Sequence, residues 1–177
     1  MGIDDIPPPG SHLQHQRSGE RRHLTVLFCD LLGSTEVSTA LDPEELSEVL
    51  HLYQTHVAQM IGAYGGTIAQ YLGDGVLAYF GYPQAHENDA ECAIRASLDI
   101  VGKLPVLANS PFQLKVRIGI ATGLVVVGQV REATIKGEPL AIGETPNLAA
   151  RLQVAAPANG ILIAESTRRL VGHLFNL

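Results

Sequence analysis

The amino-acid sequence predicts an α/β (α+β) fold, built on a ferredoxin-like βαββαβ core with additional strands and helices. Two observations support this prediction. Apolar patterns and turn residues indicate the element order β-α-ββ-α-ββ-α-β-α over the 177 residues. The glycines form neither a G-x-G-x-x-G nor a Walker A pattern, which argues against a Rossmann fold and a P-loop.

The first three predicted elements are a strand, a long helix and a hairpin, over residues 21–30, 41–66 and 67–81. The helix has Asp42 as a candidate N-cap and Pro43 at its first position, and Gly65 and Gly66 end it. The hairpin turns around Asp74, which lies between two glycines.

The second half continues with the remaining predicted elements, which are a helix over 87–104, two strands within 112–130, a helix over 143–156, a strand over 161–165 and a helix over 166–175. The two strands are predicted to turn near Thr122 and Gly123. Residues 1–20 are rich in Pro, Gly and polar side chains, which predicts a disordered lead before a domain over residues 21–177.

The composition limits the class of partner that this chain binds. Its formal charge is −6, with 12 Lys and Arg against 18 Asp and Glu, and it contains no Trp. Nucleic acids and anionic membranes require basic surfaces, so neither is an expected partner. Cys29 and Cys92 lack metal-ligand spacing and are predicted to be free buried thiols in a reducing compartment. Because no apolar run approaches the roughly 20 residues of a membrane span and no signal-peptide core is present, we expect a cytoplasmic domain.

A carboxylate ends the first predicted strand, and a second lies at the tip of the predicted hairpin. In a ferredoxin-like sheet the first strand can lie beside such a hairpin, which would bring Asp30 and Asp74 to one edge. Two close carboxylates repel each other unless a proton or cation lies between them, and Mg²⁺ prefers oxygen ligands. The pair therefore predicts metal-bound phosphate chemistry, with the backbone of residues 31–35 as an anion site at a helix start.

Each of these residues also has a purely structural interpretation. Asp74 alone is most often part of a turn, because Asp-Gly marks hairpins. Asp30 alone can cap a helix or form an Asx turn, and Ser34 and Thr35 are common capping residues. The occurrence of both carboxylates in this order favours the metal site.

Four sequence blocks, in this order, resemble the class III adenylyl/guanylyl cyclase catalytic domain of bacterial multidomain proteins. They are "VLFCDLLGST", "GGTIAQYLGDGVLAYFG", "RIGIATGLVVVG" and "GETPNLAARLQ". The resemblance implies the class III nucleotidyl cyclase fold for residues 21–177, with the family's C-terminal strands truncated. It also implies a head-to-tail homodimer with active sites at its interface, and regulatory or effector domains on a longer parent chain.

The same resemblance assigns roles to individual positions, for a site that holds two Mg²⁺ or Mn²⁺ ions. It implies that Asp30, Leu31 and Asp74 bind the metal ions, and that Leu32, Gly33, Ser34 and Thr35 bind the phosphates. Asn147 and Arg151 are the implied catalytic residues, which each chain supplies to the active site of its partner. The implied purine-binding residues are Gln70 and Leu140.

The implied reaction converts ATP to 3′,5′-cyclic AMP and pyrophosphate, by in-line attack of the ribose 3′-hydroxyl on the α-phosphate. Asn147 would orient the ribose, and Arg151 would stabilise charge on the α-phosphate; their i,i+4 spacing places both on one helix face. Without the family resemblance, Arg151 is expected to form a surface salt bridge and Asn147 to be a polar residue at a helix start.

Two base-reading positions depart from the family pattern of Lys with Asp or Thr. Gln70 carries both a donor and an acceptor, whereas the Leu140 side chain has neither. We expect a preference for ATP with incomplete rejection of GTP. Gln70 can instead be a solvent-facing strand residue, and Leu140 a core residue. Lys136, in a predicted loop, either reaches the phosphates or is a solvated lysine.

Other functions stay open at this point. A regulatory or dimerisation module without turnover is favoured by Gln70, Leu140 and the short C-terminus, and a guanylyl cyclase is the alternative if Gln70 reads guanine. A diguanylate cyclase or polymerase-palm relative is disfavoured, because no GGDEF-like stretch is present. The presence of both metal carboxylates, Asn147 and Arg151 favours the enzyme. A domain without activity would be expected to lose these residues, because an unpaired buried charge is costly.

Overall fold

A computed structural model describes residues 19–33, 41–107, 114–128 and 140–176, and these ranges contain six strands in one sheet and four helices. The elements are β1 (Glu20–Leu32), α1 (Pro43–Ala63), β2 (Thr67–Leu72), β3 (Gly75–Phe80), α2 (Asp89–Leu107), β4 (Lys115–Gly128), β5 (Leu140–Ile142), α3 (Glu144–Ala155), β6 (Gly160–Ile163) and α4 (Glu165–Val171). This arrangement is of the mixed α+β class that the sequence predicts.

The sheet has the strand order β2-β3-β1-β4-β5, and neighbours along this path are antiparallel. β6 pairs with residues 117–120 of β4 in parallel, while β5 pairs with residues 126–128 of the same strand. β1 therefore lies in the middle of the sheet, between the β2–β3 hairpin and the long strand β4.

Side chains of β1 alternate between two apolar cores. Leu27, Cys29 and Leu31 pack on the face covered by α1 and α2. Leu24 and Val26 pack on the opposite face, which α3 covers. Because both faces are buried, a shift of one residue would exchange the two sets of side chains, so the register of β1 is strongly specified.

Helix α1 begins and ends where the sequence predicts. Asp42 Oδ1 accepts hydrogen bonds from the backbone N–H groups of Glu44 (2.8 Å) and Glu45 (3.0 Å), and the Glu45 side chain accepts from the Asp42 N–H, which completes a capping box. After the helix the chain turns at Gly65, whose φ of +76° favours glycine. No helix in the described ranges is long and apolar enough to cross a bilayer.

The predicted turn near Thr122 and Gly123 is wrong, because β4 runs unbroken through both residues. A Cβ on Gly123 would lie 2.6 Å from Thr145 Oγ1, so the glycine serves the close approach of α3 and makes no turn. The hydroxyl of Thr122 lies 2.9 Å from that of Thr25 on β1, which ties the two strands together at this point. The three-residue strand β5 is too short to show an alternating pattern, and the sequence analysis missed it.

Some predicted features lie outside the described residues. They are the disordered lead over residues 1–18, the helix start after Gly33, Lys136, Ser34 and Thr35. Glu20 belongs to β1, so the strand begins within the predicted lead.

Helix α3 lies directly against β4 at Gly119. A Cβ at this position would collide with the backbone carbonyl oxygen of Ala149 and the backbone nitrogen of Gln153. Backbone atoms cannot move aside as a flexible side chain can, so this contact requires glycine.

We expect Gly119→Ala to lower the free energy of unfolding by about 2 kcal/mol or more, because α3 must move away from the sheet. Urea denaturation followed by circular dichroism measures the change. Gly102→Ala is the matched control, since Gly102 lies inside α2 with no atom near its missing Cβ. It should raise stability by up to about 1 kcal/mol, and an equal effect of the two substitutions would contradict the packing argument.

His56 is a buried histidine between α1 and α2. Its Nε2 lies 3.4 Å from the carbonyl oxygen of Ile100. Burial lowers its pKa below the usual value; Lys103 also lowers it, while the bond to Ile100 and the charge of Asp99 partly oppose the shift. The folded chain therefore binds the proton less readily than the unfolded chain does.

The lowered pKa of His56 predicts that its contribution to stability is complete above about pH 6.5 and is lost as the pH falls toward the folded-state pKa. The non-titrating variant His56→Gln should therefore lose less stability between pH 7.5 and 5.5 than the wild-type chain. Urea denaturation at the two pH values tests this, and equal losses in both proteins would refute it.

Candidate active site

Asp30 and Asp74 lie at the same end of the sheet. Asp30 pairs with Gly75, the first residue of β3. Asp74 occupies the tight turn between β2 and β3, where Leu72 pairs with Gly75. A Cβ built on Gly75 would lie 3.7 Å from Asp30 Oδ1, so this oxygen faces the hairpin end. The β1–β3 register thus brings together the two carboxylates that the sequence analysis proposes as metal ligands.

The other oxygen of Asp30 is held by two side chains that the sequence analysis missed. Arg117 Nη2 and Gln153 Nε2 each donate to Asp30 Oδ2 at 3.1 Å. Arg117 is the cross-strand partner of Asp30 in the β1–β4 pair, and Gln153 lies on α3. Gln153 follows the predicted Arg151 by two residues, but no local sequence signal connects Arg117 or Gln153 with Asp30.

Arg117 brings a positive charge to this end of the sheet. Its side chain is 25% exposed, and its Nη1 donates to the carbonyl oxygen of Val154 at 3.4 Å. Its Nε is buried and has no acceptor in the part of the chain that the structure describes. A buried donor without an acceptor costs about 1–3 kcal/mol. The guanidinium charge itself lies beside Asp30, at the end of the sheet that carries both carboxylates.

On the opposite face of β1, the candidate site is backed by an apolar and uncharged layer of buried side chains. Cys29 Sγ lies 3.4 Å from the hydroxyl of Tyr53 on α1, and both side chains are buried. Burial raises the pKa of Cys29 to about 12, so this thiol is neither a nucleophile nor a thiolate ligand. Burial also raises the pKa of Tyr53, and the charges of Asp30 and Asp74 both raise it further, as expected for two carboxylates close to one hydroxyl.

The predicted phosphate segment is only partly described. Leu31 is buried in the core below β1, Leu32 ends the strand, and Gly33 follows with a φ of +79°. β1 thus continues for two residues beyond the carboxylate, and both of these residues still pair with β4. Ser34 and Thr35 lie outside the described residues.

Asn147 and Arg151 are exposed on the outer face of α3, whereas Ala149 and Gln153 are buried against the sheet. Arg151 Nε donates to the backbone oxygen of Asn147 at 3.4 Å. Within the described ranges, neither side chain forms a hydrogen bond to the carboxylates at the end of β1. The predicted catalytic pair thus lies on the exposed face of α3, whereas Gln153, which contacts Asp30, lies on the buried face.

Gln70 and Leu140 border the same apolar cluster. A β-bulge between Ile68 and Gln70 places Gln70 opposite Leu77, which belongs to the cluster on the α3 face. Leu140 packs against that cluster from β5. The next residue of β5 is held by Tyr79, whose hydroxyl accepts a hydrogen bond from the Ala141 N–H at 3.0 Å. The structure therefore brings both predicted purine positions to one face, although β2 and β5 are the two ends of the strand order.

The carboxylates fit a hard divalent cation better than a soft one. Among the described residues, no three His, Cys, Asp or Glu side chains cluster into a metal site of their own. Mg²⁺ commonly uses one or two carboxylates and completes its shell with water and phosphate oxygens. Asp30 Oδ1, which receives no hydrogen bond from the described part of the chain, and the nearby Asp74 match this pattern.

The adenylate and guanylate cyclase catalytic domain is the family whose model matches residues 16–176. The chain belongs to this family. The cyclase domain is similar to the adenylyl cyclase CyaB from P. aeruginosa, with a TM-score of 0.81 and 34% identity over 86% of this chain and 82% of that one. Its likeness to the guanylyl cyclase Cya2 has a TM-score of 0.80 and 33% identity over 87% and 80% of the two chains. These structures confirm the predicted class III nucleotidyl cyclase fold.

Curated relatives of the cyclase domain are longer proteins. Adenylate cyclase 1 of Rhizobium meliloti is 33% identical over 142 residues, which are 77% of this chain and 21% of that protein. The chain spans between 16% and 34% of the length of the curated relatives it matches. In these relatives the cyclase domain is thus one part of a larger chain.

Proposed function

We propose that this cyclase domain converts ATP to 3′,5′-cyclic AMP and pyrophosphate as a head-to-tail homodimer. The observation that carries the proposal is the placement of Asp30 and Asp74 at one end of the sheet, with Asp30 Oδ1 directed toward the hairpin. Two carboxylates in this position suit two Mg²⁺ or Mn²⁺ ions that also contact the phosphates of a nucleotide. When bound there, such ions would lower the pKa of the ribose 3′-hydroxyl and offset phosphate charge.

The proposed reaction forms one phosphorus–oxygen bond and breaks another. The ribose 3′ oxygen attacks the α-phosphorus in line, its proton passes to solvent, and the bond to the bridging oxygen of the β-phosphate breaks to release pyrophosphate. Arg117 lies beside Asp30 and its side chain is 25% exposed, so its guanidinium is suited to attract a phosphate oxygen. Its charge would then stabilise the nucleotide at the metal-binding end of the sheet.

The outward position of Asn147 and Arg151 supports the proposed dimer. Asn147 and Arg151 face outward from α3, away from the Asp30 that Gln153 of the same helix contacts. In a head-to-tail pair, each copy would offer this outward face to the carboxylates of the other. Asn147 would orient the ribose, and Arg151 would stabilise the charge that develops on the α-phosphate.

The preference for ATP rests on Gln70, because CyaB and Cya2 are almost equally similar to this chain. Gln70 can accept a hydrogen bond from the adenine amino group, while Leu140 offers apolar contact alone. A regulatory module without turnover is the second candidate function, and the lack of a polar side chain at Leu140 favours it. Formation of cyclic nucleotide by the purified chain decides between the two.

Mixing two inactive variants tests the shared site. We expect Asp30→Asn and Arg151→Ala to be inactive alone, because each damages both sites of its own homodimer. An equal mixture of the two should recover about a quarter of the wild-type rate of cyclic AMP formation, since half of the dimers then contain one intact site. Circular dichroism and gel filtration verify that each variant is folded and dimeric.

The double variant Asp30→Asn/Arg151→Ala is the matched control for this experiment. Mixed with wild-type chain, it should lower the activity of the wild-type subunits, because no mixed dimer contains an intact site. If the activity of the wild-type chains is unaffected although mixed dimers form, the sites are not shared. If no variant mixture and no wild-type preparation forms product from ATP or GTP, the regulatory module is the better description.

Purine selectivity is expected to be modest and to depend on Gln70. The wild-type chain should use ATP with a kcat/KM about tenfold above that for GTP, and Gln70→Leu should bring the ratio close to one. Gln59→Leu, the same substitution on the exposed surface of α1, should leave the ratio unchanged. Steady-state rates with both nucleotides test this expectation, and equal use of both purines by the wild-type chain would refute it.

A further inference from the structure

Gln153 is a buried polar side chain to which no role has been assigned. It is 7% exposed, and its amide nitrogen donates to Asp30 Oδ2 at 3.1 Å. We infer that Gln153 is a positioning residue, which holds the Asp30 carboxylate in the orientation that presents Oδ1 to a divalent cation. The inference rests on the proposed function, because it requires Asp30 to bind that cation.

The two oxygens of Asp30 have different surroundings. Oδ2 receives one hydrogen bond from Arg117 and one from Gln153, which approach from β4 and from α3. Oδ1 lies toward Gly75 and the hairpin end that carries Asp74. Two donors from two different elements restrict rotation of the carboxylate more than one donor does. Partners of this kind set the orientation of metal-binding side chains.

A neutral amide is suited to this task. Arg117 already offsets part of the negative charge of Asp30, and a second cationic donor would compete with a metal ion for the same carboxylate. The Gln153 amide adds a hydrogen bond without adding charge. It therefore orients the carboxylate while leaving most of its attraction for a divalent cation.

Gln153 also connects Asp30 to the helix that carries the proposed catalytic pair. Its backbone nitrogen lies directly over Gly119 of β4, so this part of α3 has little freedom to move. Asn147 and Arg151 lie on the exposed face of the same helix. One rigid helix thus holds the metal-binding carboxylate of its own chain while it offers Asn147 and Arg151 to a second copy.

Binding of Mn²⁺ alone to the complete chain tests the inference. Electron paramagnetic resonance of free Mn²⁺ gives the dissociation constant for wild type, Asp30→Asn and Gln153→Met, a substitution that keeps the length of the side chain and removes its donor. We expect Gln153→Met to raise the dissociation constant about tenfold and Asp30→Asn to abolish this binding. Val154→Met, at the exposed neighbouring position of α3, should bind like wild type.

Activity gives a second readout that a merely structural role would not change. In Gln153→Met, the Mn²⁺ concentration for half-maximal cyclic AMP formation should rise about tenfold, while the rate at saturating Mn²⁺ stays within about twofold of wild type. A lower melting temperature with an unchanged Mn²⁺ dependence would overturn the inference. If Gln153→Met does not fold, the same measurements are made on Gln153→Ala, which shortens the side chain and cannot overpack the site.

The outcomes separate this inference from the proposed function. If wild type binds Mn²⁺ through Asp30 and Gln153→Met binds it equally well, Gln153 has no positioning role and the proposed metal site stands. If Asp30→Asn binds Mn²⁺ as wild type does, or wild type does not bind it, the proposed metal site is wrong and the role of Gln153 is refuted with it.

Discussion

The hydrogen bonds that hold Asp30 Oδ2 are the contact on which the candidate site depends. A carboxylate at the end of a central strand is costly to bury unless donors surround it. Here Arg117 reaches it through the β1–β4 register, and Gln153 reaches it because Gly119 lets α3 lie against the sheet. The long strand pair and the helix packing therefore meet at one side chain, and Oδ1 is left facing Gly75 at the end of the hairpin.

The two faces of β1 differ in charge near the candidate site. Toward α1, Cys29 and Tyr53 form a buried pair whose raised pKa values keep both groups neutral. Toward α3, Asp30 is charged and partly open to solvent. A neutral, apolar floor under a charged group lowers the local dielectric, so a cation placed beside Asp30 and Asp74 would be held more strongly than at an open surface. The alternation of side chains along one strand thus places the buried neutral pair on one face and the proposed metal ligand on the other.

Helix α3 serves the site from both of its sides. Ala149 and Gln153 face the sheet, while Asn147 and Arg151 face outward, where a second copy can reach them. The rigid packing of α3 on β4 makes this arrangement possible, since a loosely attached helix would position neither set. The packing of α3 on β4 therefore stabilises the fold and also fixes the position of the exposed face of α3. The proposed dimer depends on that face.

Local patterns in the sequence determined the elements whose signals lie close together along the chain: the capping box at Asp42, the apolar face of α1 and the hairpin that carries Asp74. They also pointed to Asp30, because a carboxylate after an apolar run is unusual. The turn expected at Gly123 was wrong, since a glycine that admits a helix looks in sequence like one that makes a turn. Only the tertiary structure decided the partners of Asp30, which come from positions 87 and 123 residues away. Such contacts leave no local pattern in the sequence, because strand register and helix packing are determined by interactions along the whole chain.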